Sequence, residues 1–230
     1  MTLVEPKYPV NVGHTARLVN NFGVKKLYLV KPKVDISVAA VYASHASEVL
    51  DRAVITTFEK VRMENEFLVA TTAVRASKKS NVIRRAVAPD RLNALLSSAR
   101  TSSLVFGRDT TGLTNEEIGM CDVTATLDTA PAYRTLSLGH AVAIFLYLVS
   151  RKEGRKGRLR SRRAREVFAE SLHELAVASR LPPHKAENLF EAGKRIAASS
   201  SMTDTQLNLL TGVFRKALST LDSYNSDSKT

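Results

Sequence analysis

An α/β fold, with a mostly parallel sheet followed by a small α-helical bundle, is predicted by three observations. Strand and helix patterns alternate from Leu3 to Val149, the arrangement that produces parallel sheets. The stretch Phe67-Leu68-Val69-Ala70-Thr71-Thr72 is apolar almost without interruption, as in a strand covered on both faces. From Arg162 onward only helical periodicity remains, in three amphipathic segments that suit a bundle.

Taken in order, Leu3-Val4 reads as a short strand leaving the sheet at Pro6, because proline is rare in central strands. Asn11 to Phe22 reads as a helix that follows a Pro9 turn, with Asn11 as a candidate cap and Gly23 as its stop. Arg17 lies about two turns beyond Asn11. Val24 to Val30 is a strand pattern, Val38 to Leu50 a helix whose alanines permit close packing, and Val54 to Thr57 another strand. After the apolar strand ending at Thr72, a polar loop carries Arg75, Lys78, Lys79, Arg84 and Arg85. Ligands of open α/β sheets lie beyond the carboxyl ends of strands, so this loop is a candidate cofactor wall with a basic rim, the alternative being a mobile surface loop. Pro89-Asp90 opens a helix containing Leu92, Leu95 and Leu96.

Ser103 to Phe106 is a strand that runs into Gly107-Arg108-Asp109-Thr110-Thr111-Gly112-Leu113. Gly107 at the strand end leaves room for a ligand at the backbone. The glycine spacing is not GxGxxG and no Lys-Ser/Thr follows, which disfavours a nucleotide triphosphatase. Thr114 and Glu117 form a capping-box pattern, and Val123 to Leu127 is the last strand. The next stretch, PAYRTLSLGHAVAIFLYLV from Pro131 to Val149, joins a hydroxyl-rich turn to a helix that is apolar around most of its circumference. That run falls short of the about 20 residues needed to span a bilayer, so it is expected in a core or a subunit interface.

In the last third, Pro182-Pro183 separates two helices and Thr203 with Gln206 forms a second capping box. The final helix is expected to bury Leu207, Leu210, Phe214, Ala217, Leu218 and Leu221 and to fray from about Asp222. The expected organisation is a domain over residues 1–150, a basic linker over 151–165 and a helical domain over 166–230.

Composition narrows the function. The chain has 230 residues, 44% of them hydrophobic, enough for a real core. The single Cys121 excludes an internal disulfide, and the five histidines His14, His45, His140, His173 and His184 have no metal-ligand spacing, so no metal is expected. With no secretory or spanning segment in the pattern, a soluble cytoplasmic protein that leaves membranes alone is expected. Net charge is +12, and Arg151 to Arg165 holds nine Arg or Lys against one Glu, about two thirds of the excess. Such a concentration attracts a polyanion, and nucleic acid is favoured over an anionic membrane because no strongly apolar face accompanies it. Arg151, Lys152, Arg155 and Lys156, with Arg75 on the earlier loop, are the candidate RNA contacts; the alternative is a solvated linker.

Three segments also carry a resemblance. NVGHTAR at Asn11–Arg17 is similar to N-x-G-x-x-x-R, LVFGRDTTGLTNEEIGMCD at Leu104–Asp122 to F-G-x-E-x-x-G-L-[ST]-x-E, and TLSLGHAVAI at Thr135–Ile144 to S-L-N-[LV]-x-x-A. Together, in this order, they resemble the SPOUT superfamily of knotted RNA methyltransferases, in the branch that methylates ribose 2′-oxygens, with the pattern closest to the TrmJ-type tRNA enzymes. The resemblance implies a SPOUT-type sheet with a C-terminal trefoil knot, a homodimer, S-adenosyl-L-methionine as cofactor and tRNA as substrate, methylated at nucleotide 32 of the anticodon loop. It places the cofactor against Thr72, Ala73, Gly107, Leu127, Leu136, Ser137 and Leu138. It gives the catalytic positions as Arg17, reaching in from a partner subunit, with Asn11 and Thr135. Arginine suits phosphate binding and stabilisation of charge on oxygen, but it stays protonated and makes a poor base; the proton acceptor is unassigned. Ser137 stands where the family usually has Asn, Thr135 where it has Ser, and Asp109 where it has Glu. A ribosomal RNA 2′-O-methyltransferase and a non-catalytic RNA-binding member of the same fold are the alternatives.

Overall fold

The computed structural model describes residues 1–73, 86–87, 91–130, 132, 134–150, 161–199 and 202–227. The described residues fall into two compact units, the first holding the sheet and its helices and the second holding three helices.

In the first unit the strands β1 (Thr2–Val4), β2 (Tyr28–Val30), β3 (Val54–Thr56), β4 (Phe67–Thr71), β5 (Ala86–Val87), β6 (Ser102–Phe106) and β7 (Val123–Ala125) form one sheet in the order β3-β2-β1-β6-β4-β7-β5. Every pairing is parallel, as the alternation of elements predicts. Phe67 to Ala70 are fully buried, and β4 sits inside the sheet between β6 and β7. The apolar run therefore marks a strand covered on both faces.

Helix α1 (Pro9–Asn21) starts two residues earlier than the sequence reading and is capped differently. Pro9 takes the first helical turn, where its missing N–H costs nothing, and Tyr8 precedes it with extended backbone and no side-chain cap. Asn11 is inside the helix and does not cap it. The stop is where glycine places it: Gly23 has φ +62°, Val24 N–H donates to Val19 O at 2.9 Å, and Gly23 N–H donates to Asn20 O at 3.2 Å. These two bonds make a Schellman closure.

Four further differences have local causes. The strand predicted over Val24 to Val30 is ordered as strand only at β2, because the Schellman turn takes up Val24 and Lys25-Lys26 are exposed. The helix predicted over Val38 to Leu50 divides into α2 (Ile36–Ala43), a 3₁₀ turn (Ser44–Ala46) and α3 (Ser47–Asp51), with Ser44 at φ +52°. The break keeps Ala39, Ala43, Ala46 and Leu50 buried while all three pieces pack on α1. Helix α4 (Phe58–Glu64), absent from the sequence reading, is capped by Thr57, and it buries Phe58 and Val61. Strand β5, also unforeseen, is only two residues long and pairs β7 at the sheet edge.

Helix α5 (Leu92–Ser98) and the short α6 (Asn115–Gly119) follow the predicted segments, and both bonds of the Thr114–Glu117 capping box form, at 3.1 Å and 2.8 Å. Helix α7 (Leu138–Ser150) packs on α1 and α5 and buries Leu138, Val142, Phe145 and Leu146. Phe145 meets Phe106 of β6 edge to face at 5.7 Å between ring centroids. Its apolar circumference is only partly covered in the single chain, since Ile144 and Tyr147 stay 40% and 57% exposed.

The second unit comprises α8 (Arg162–Ala178), α9 (Pro183–Ser199) and α10 (Asp204–Asp227). Phe168, Ala197 and Leu207 form its centre, with Ala164, Leu172, Met202 and Phe214 packed around them. The Thr203–Gln206 box closes as predicted, at 2.7 Å and 3.2 Å. Of the residues expected to be buried on the last helix only Leu207 is; Phe214, Ala217, Leu218 and Leu221 are half-buried and Leu210 is exposed. The helix persists to Asp227, past the expected fraying at Asp222. Gly193 sets the approach of α9 to α8, because a Cβ there would come within 3.2 Å of the Ala169 Cα.

Candidate active site

A cavity of about 450 Å³ opens between the exposed side of α1 and the start of α7. Asn11, His14, Arg17 and Asn21 line it from α1, at helical spacings of three and four that bring them to one face. Ser137, Gly139, His140 and Ala143 line it from the turn and first residues of α7. The start of α7 lies against α1 here: a Cβ built on Gly139 would be in ordinary contact with His14 Cβ at 3.6 Å and Asn11 Oδ1 at 4.0 Å. Asn11, Arg17 and Ser137, drawn from two segments more than a hundred residues apart, thus meet in one chain. Arg17 and Ser137 line the same cavity within the single chain.

Asn11 is held from outside the cavity. Its Nδ2 donates to Asp109 Oδ1 at 2.5 Å, and the Lys7 backbone N–H donates to the other carboxylate oxygen at 2.8 Å. Asp109 belongs to the turn after β6, where Arg108 and Gly112 exchange backbone hydrogen bonds of 3.2 Å and 2.9 Å. That turn explains Gly107 locally: a Cβ on it would run into the backbone of Gly112 and Leu113. Gly112 has φ +70°, a conformation natural to glycine. The glycine that reads in sequence as room for a ligand first provides room for the turn itself.

Arg108 fixes this turn to two elements. Its guanidinium donates to both Glu117 oxygens at 2.9 Å and 3.0 Å and to Glu5 Oε1 at 2.6 Å. Bidentate geometry of this kind is directional and about twice as strong as a neutral hydrogen bond. Glu117's hydrogen bonds, with Glu5's added and burial opposing, push the arginine's proton affinity higher still. Burial pushes Glu117 up, but the Arg108 bonds and the Thr114 N–H outweigh it and hold that carboxyl below the usual range. The positions of Glu5, Glu117 and Asp109 are therefore coupled, and Asn11 inherits its orientation from them.

The remaining predicted residues divide. Strands β6, β4 and β7 are sheet neighbours, so Gly107, Thr72-Ala73 and Leu127 emerge along one carboxyl-terminal edge; Thr72 N–H donates to Ala125 O at 3.0 Å. Thr72, Ala73 and Leu127 are half-buried there. Thr135 and Leu136 are exposed and do not line the cavity, while Leu138 is buried as the first residue of α7. Arg75 and Arg151, Lys152, Arg155 and Lys156 lie outside the described residues. Sequence reasoning missed three contributors. Asp109 was visible only as a departure from a motif, and His14 and His140 were set aside for want of metal spacing. Their signal was position: His14 is three residues from both Asn11 and Arg17, and His140 three from Ser137.

The family model described as the SpoU rRNA Methylase family matches residues 1–147. The chain belongs to this family. All three motif segments of this SpoU methylase lie inside the matched span. It is 32% identical over 223 residues to the tRNA (cytidine-2′-O-)-methyltransferase TrmJ of Methanocaldococcus jannaschii, covering 93% of this chain and 96% of that one. It is 34% identical over 158 residues to the enzyme of the same name from Sulfolobus acidocaldarius, covering 68% and 66%. Among solved structures, TrmJ of Z. mobilis ZM4 shares the fold with TM-score 0.65 at 22% identity, over 96% of this chain and 97% of that one. The likeness to the M. jannaschii protein thus runs through the helical unit as well as the SpoU region.

Proposed function

We propose that this SpoU methylase is an S-adenosyl-L-methionine-dependent tRNA ribose 2′-O-methyltransferase that acts on nucleotide 32 of the anticodon loop. The observation that carries the reading is the meeting of Asn11, Arg17 and Ser137 on one cavity of about 450 Å³, a size suited to a small organic ligand or a nucleotide. The archaeal relatives, both tRNA (cytidine-2′-O-)-methyltransferases by name, support tRNA as the substrate. The carboxyl-terminal edge of β6, β4 and β7 fits the cofactor. Thr72, Ala73 and Leu127 are open there, and the neighbouring Thr126 has a buried hydroxyl without a hydrogen-bond partner that a polar ligand would engage. Gly107 and Leu136 to Leu138 complete the proposed cofactor wall.

When bound, S-adenosyl-L-methionine supplies an electrophilic methyl group on a sulfonium. The protein's task is to align an attacking ribose oxygen with it, and orientation is worth several kcal/mol of barrier. Arg17 grips the phosphate next to the reacting sugar and stabilises negative charge building on its oxygen. Asn11, fixed by Asp109, orients the ribose or Arg17, and Thr135 offers a hydroxyl to the substrate from the turn. Two further proposals follow from family membership. The chain after β7 passes through a trefoil knot, and two copies form a homodimer that covers the exposed Ile144 and Tyr147 of α7. The basic stretch that starts at Arg151, and whose last residues, Arg162 to Arg165, belong to the first turn of α8, grips tRNA through Arg151, Lys152, Arg155 and Lys156, with Arg75 contributing from the loop after β4.

Transfer of labelled methyl from S-adenosyl-L-methionine to purified tRNA and ribosomal RNA, followed by mapping of the modified nucleotide, tests the reading. Label in tRNA at nucleotide 32, lost in Arg17→Ala, is expected. Label in ribosomal RNA alone, or cofactor binding with no transfer to any RNA, would replace it.

A further inference from the structure

The methyl-transfer reading leaves a proton without a destination. The attacking 2′-hydroxyl must lose one, and Arg17, the cation in the cavity, stays protonated. The cavity offers a second group for the task. Ser137 Oγ and His140 Nδ1 are 2.8 Å apart, and both residues line the cavity that Arg17 lines. The His140 backbone N–H also points at Ser137 Oγ at 3.4 Å, which leaves that oxygen a second lone pair for a substrate hydroxyl and its own O–H to donate to Nδ1 in the tautomer whose Nδ1 is unprotonated. In that tautomer Nδ1 accepts from the serine hydroxyl, and the hydroxyl and the imidazole, both on the cavity wall, have the geometry of a two-membered proton relay. The ring is held on an ordered helix, because His140 lies in the first turn of α7, whose Ala141 N–H donates to Ser137 O at 3.0 Å.

We infer that His140, acting through Ser137, is the proton acceptor for the reaction. The inference rests on the methyltransferase reading above. In the step, the ribose 2′-oxygen forms a bond to the methyl carbon as the carbon–sulfur bond breaks and its electron pair stays on sulfur. The 2′-hydroxyl proton passes to Ser137 Oγ while the Ser137 proton passes to His140 Nδ1, and the resulting imidazolium releases one proton to water. The sulfonium charge that disappears is matched by that proton. This assigns a use to the serine that stands in place of the family's asparagine: an amide accepts or donates a hydrogen bond but does not relay a proton at neutral pH, whereas a hydroxyl does.

Among the described residues, the other titratable groups that line the cavity with His140 are Arg17 and His14 of α1, and α7 has no other titratable residue before Tyr147. Helix α5, the other helix packed on α7, has none between Leu92 and Ser98. His45, exposed on the 3₁₀ turn and not part of the cavity lining, is the control.

Two replacements separate a proton acceptor from a positioning group. His140→Asn keeps an acceptor oxygen near the place of Nδ1 but cannot take a proton, and His140→Ala removes both. Single-turnover methyl transfer to tRNA by His140→Asn is expected to fall by about 100-fold or more, the usual scale of general-base catalysis, with the wild-type rise in rate with pH flattened. Affinity for S-adenosyl-L-methionine by calorimetry and for tRNA by filter binding should stay within about twofold, and His45→Asn, outside the cavity, should keep the wild-type pH profile. A readout independent of turnover is the ¹⁵N resonance of His140 Nδ1 in the cofactor-free protein. It should report an unprotonated, hydrogen-bonded nitrogen that shifts in Ser137→Ala. Wild-type rates in His140→Asn, or rates lost in His140→Ala but restored in His140→Asn, would overturn the assignment and leave the methyltransferase reading intact. Wild-type protein that transfers no methyl to any RNA would end both.

Discussion

Asp109 shows how one carboxylate sets the geometry of a site it does not enter. It takes a hydrogen bond from Asn11 Nδ2 and another from the Lys7 N–H, while the neighbouring Arg108 is clamped by Glu5 and Glu117. Replacing Asp109 by alanine frees Asn11 to rotate while the Arg108 clamp persists. The expected outcome is a fall in kcat/KM for tRNA of about 10- to 100-fold, since small misplacements of a positioning group cost on that order. The thermal transition should move little, because a partly exposed hydrogen bond contributes about 1 kcal/mol net. Labelled methyl transfer and a circular dichroism melt measure the two effects. At this scale the sequence was informative about identity and silent about partnership. Arg17, Asn11 and Ser137 were legible because two of the three motifs carry them. That Asp109 reaches Asn11, or that His140 reaches Ser137, depends on contacts between residues up to 98 apart and on a helix start two residues earlier than propensity indicates.

At the scale of elements, hydrophobic pattern carried most of the fold. The buried strand at Phe67, the two capping boxes and the glycine stop at Gly23 each rest on a local signal strong enough to survive in the folded chain. The elements that escaped, α4 and β5, are seven and two residues long, too short for a period to register. The division of the helix after Ala43 escaped for another reason, since packing against α1 outweighs the helical preference of the alanines around Ser44. Close approach of helices is likewise invisible in composition. Gly193 lies where α9 meets α8, with Leu172 Cδ1 at 3.0 Å and Ala169 Cα at 3.2 Å from the position of an added Cβ. A leucine there has to displace backbone, so Gly193→Leu is expected to destabilise the helical unit by about 1–3 kcal/mol. Gly193→Ala should cost less, because alanine favours the helix by about 1 kcal/mol against the same crowding. Denaturant unfolding followed by helical signal ranks the two, and cofactor affinity of the sheet unit should be unchanged in both.

For the whole molecule the dominant quantity is charge, and its placement bears directly on tRNA binding. Of a net +12, most of the excess sits between Arg151 and Arg165, directly after α7, the helix that lines the cavity. If the linker meets phosphates, each neutralised phosphate releases condensed counterions, and affinity falls as a power of salt concentration. The slope of log affinity against log salt, about 0.7–0.9 per neutralised phosphate, counts those contacts without knowledge of their geometry. Replacing Arg151, Lys152, Arg155 and Lys156 together by alanine should therefore weaken tRNA binding at every salt concentration and make the slope shallower by about three, while cofactor binding measured by calorimetry stays as in the wild type. A solvated linker predicts the opposite pattern, an unchanged slope and unchanged affinity, because charges that meet only water release no counterions from the RNA. The slope decides the matter more cleanly than affinity alone, since a folding defect would lower the active fraction without altering how the remaining complexes respond to salt.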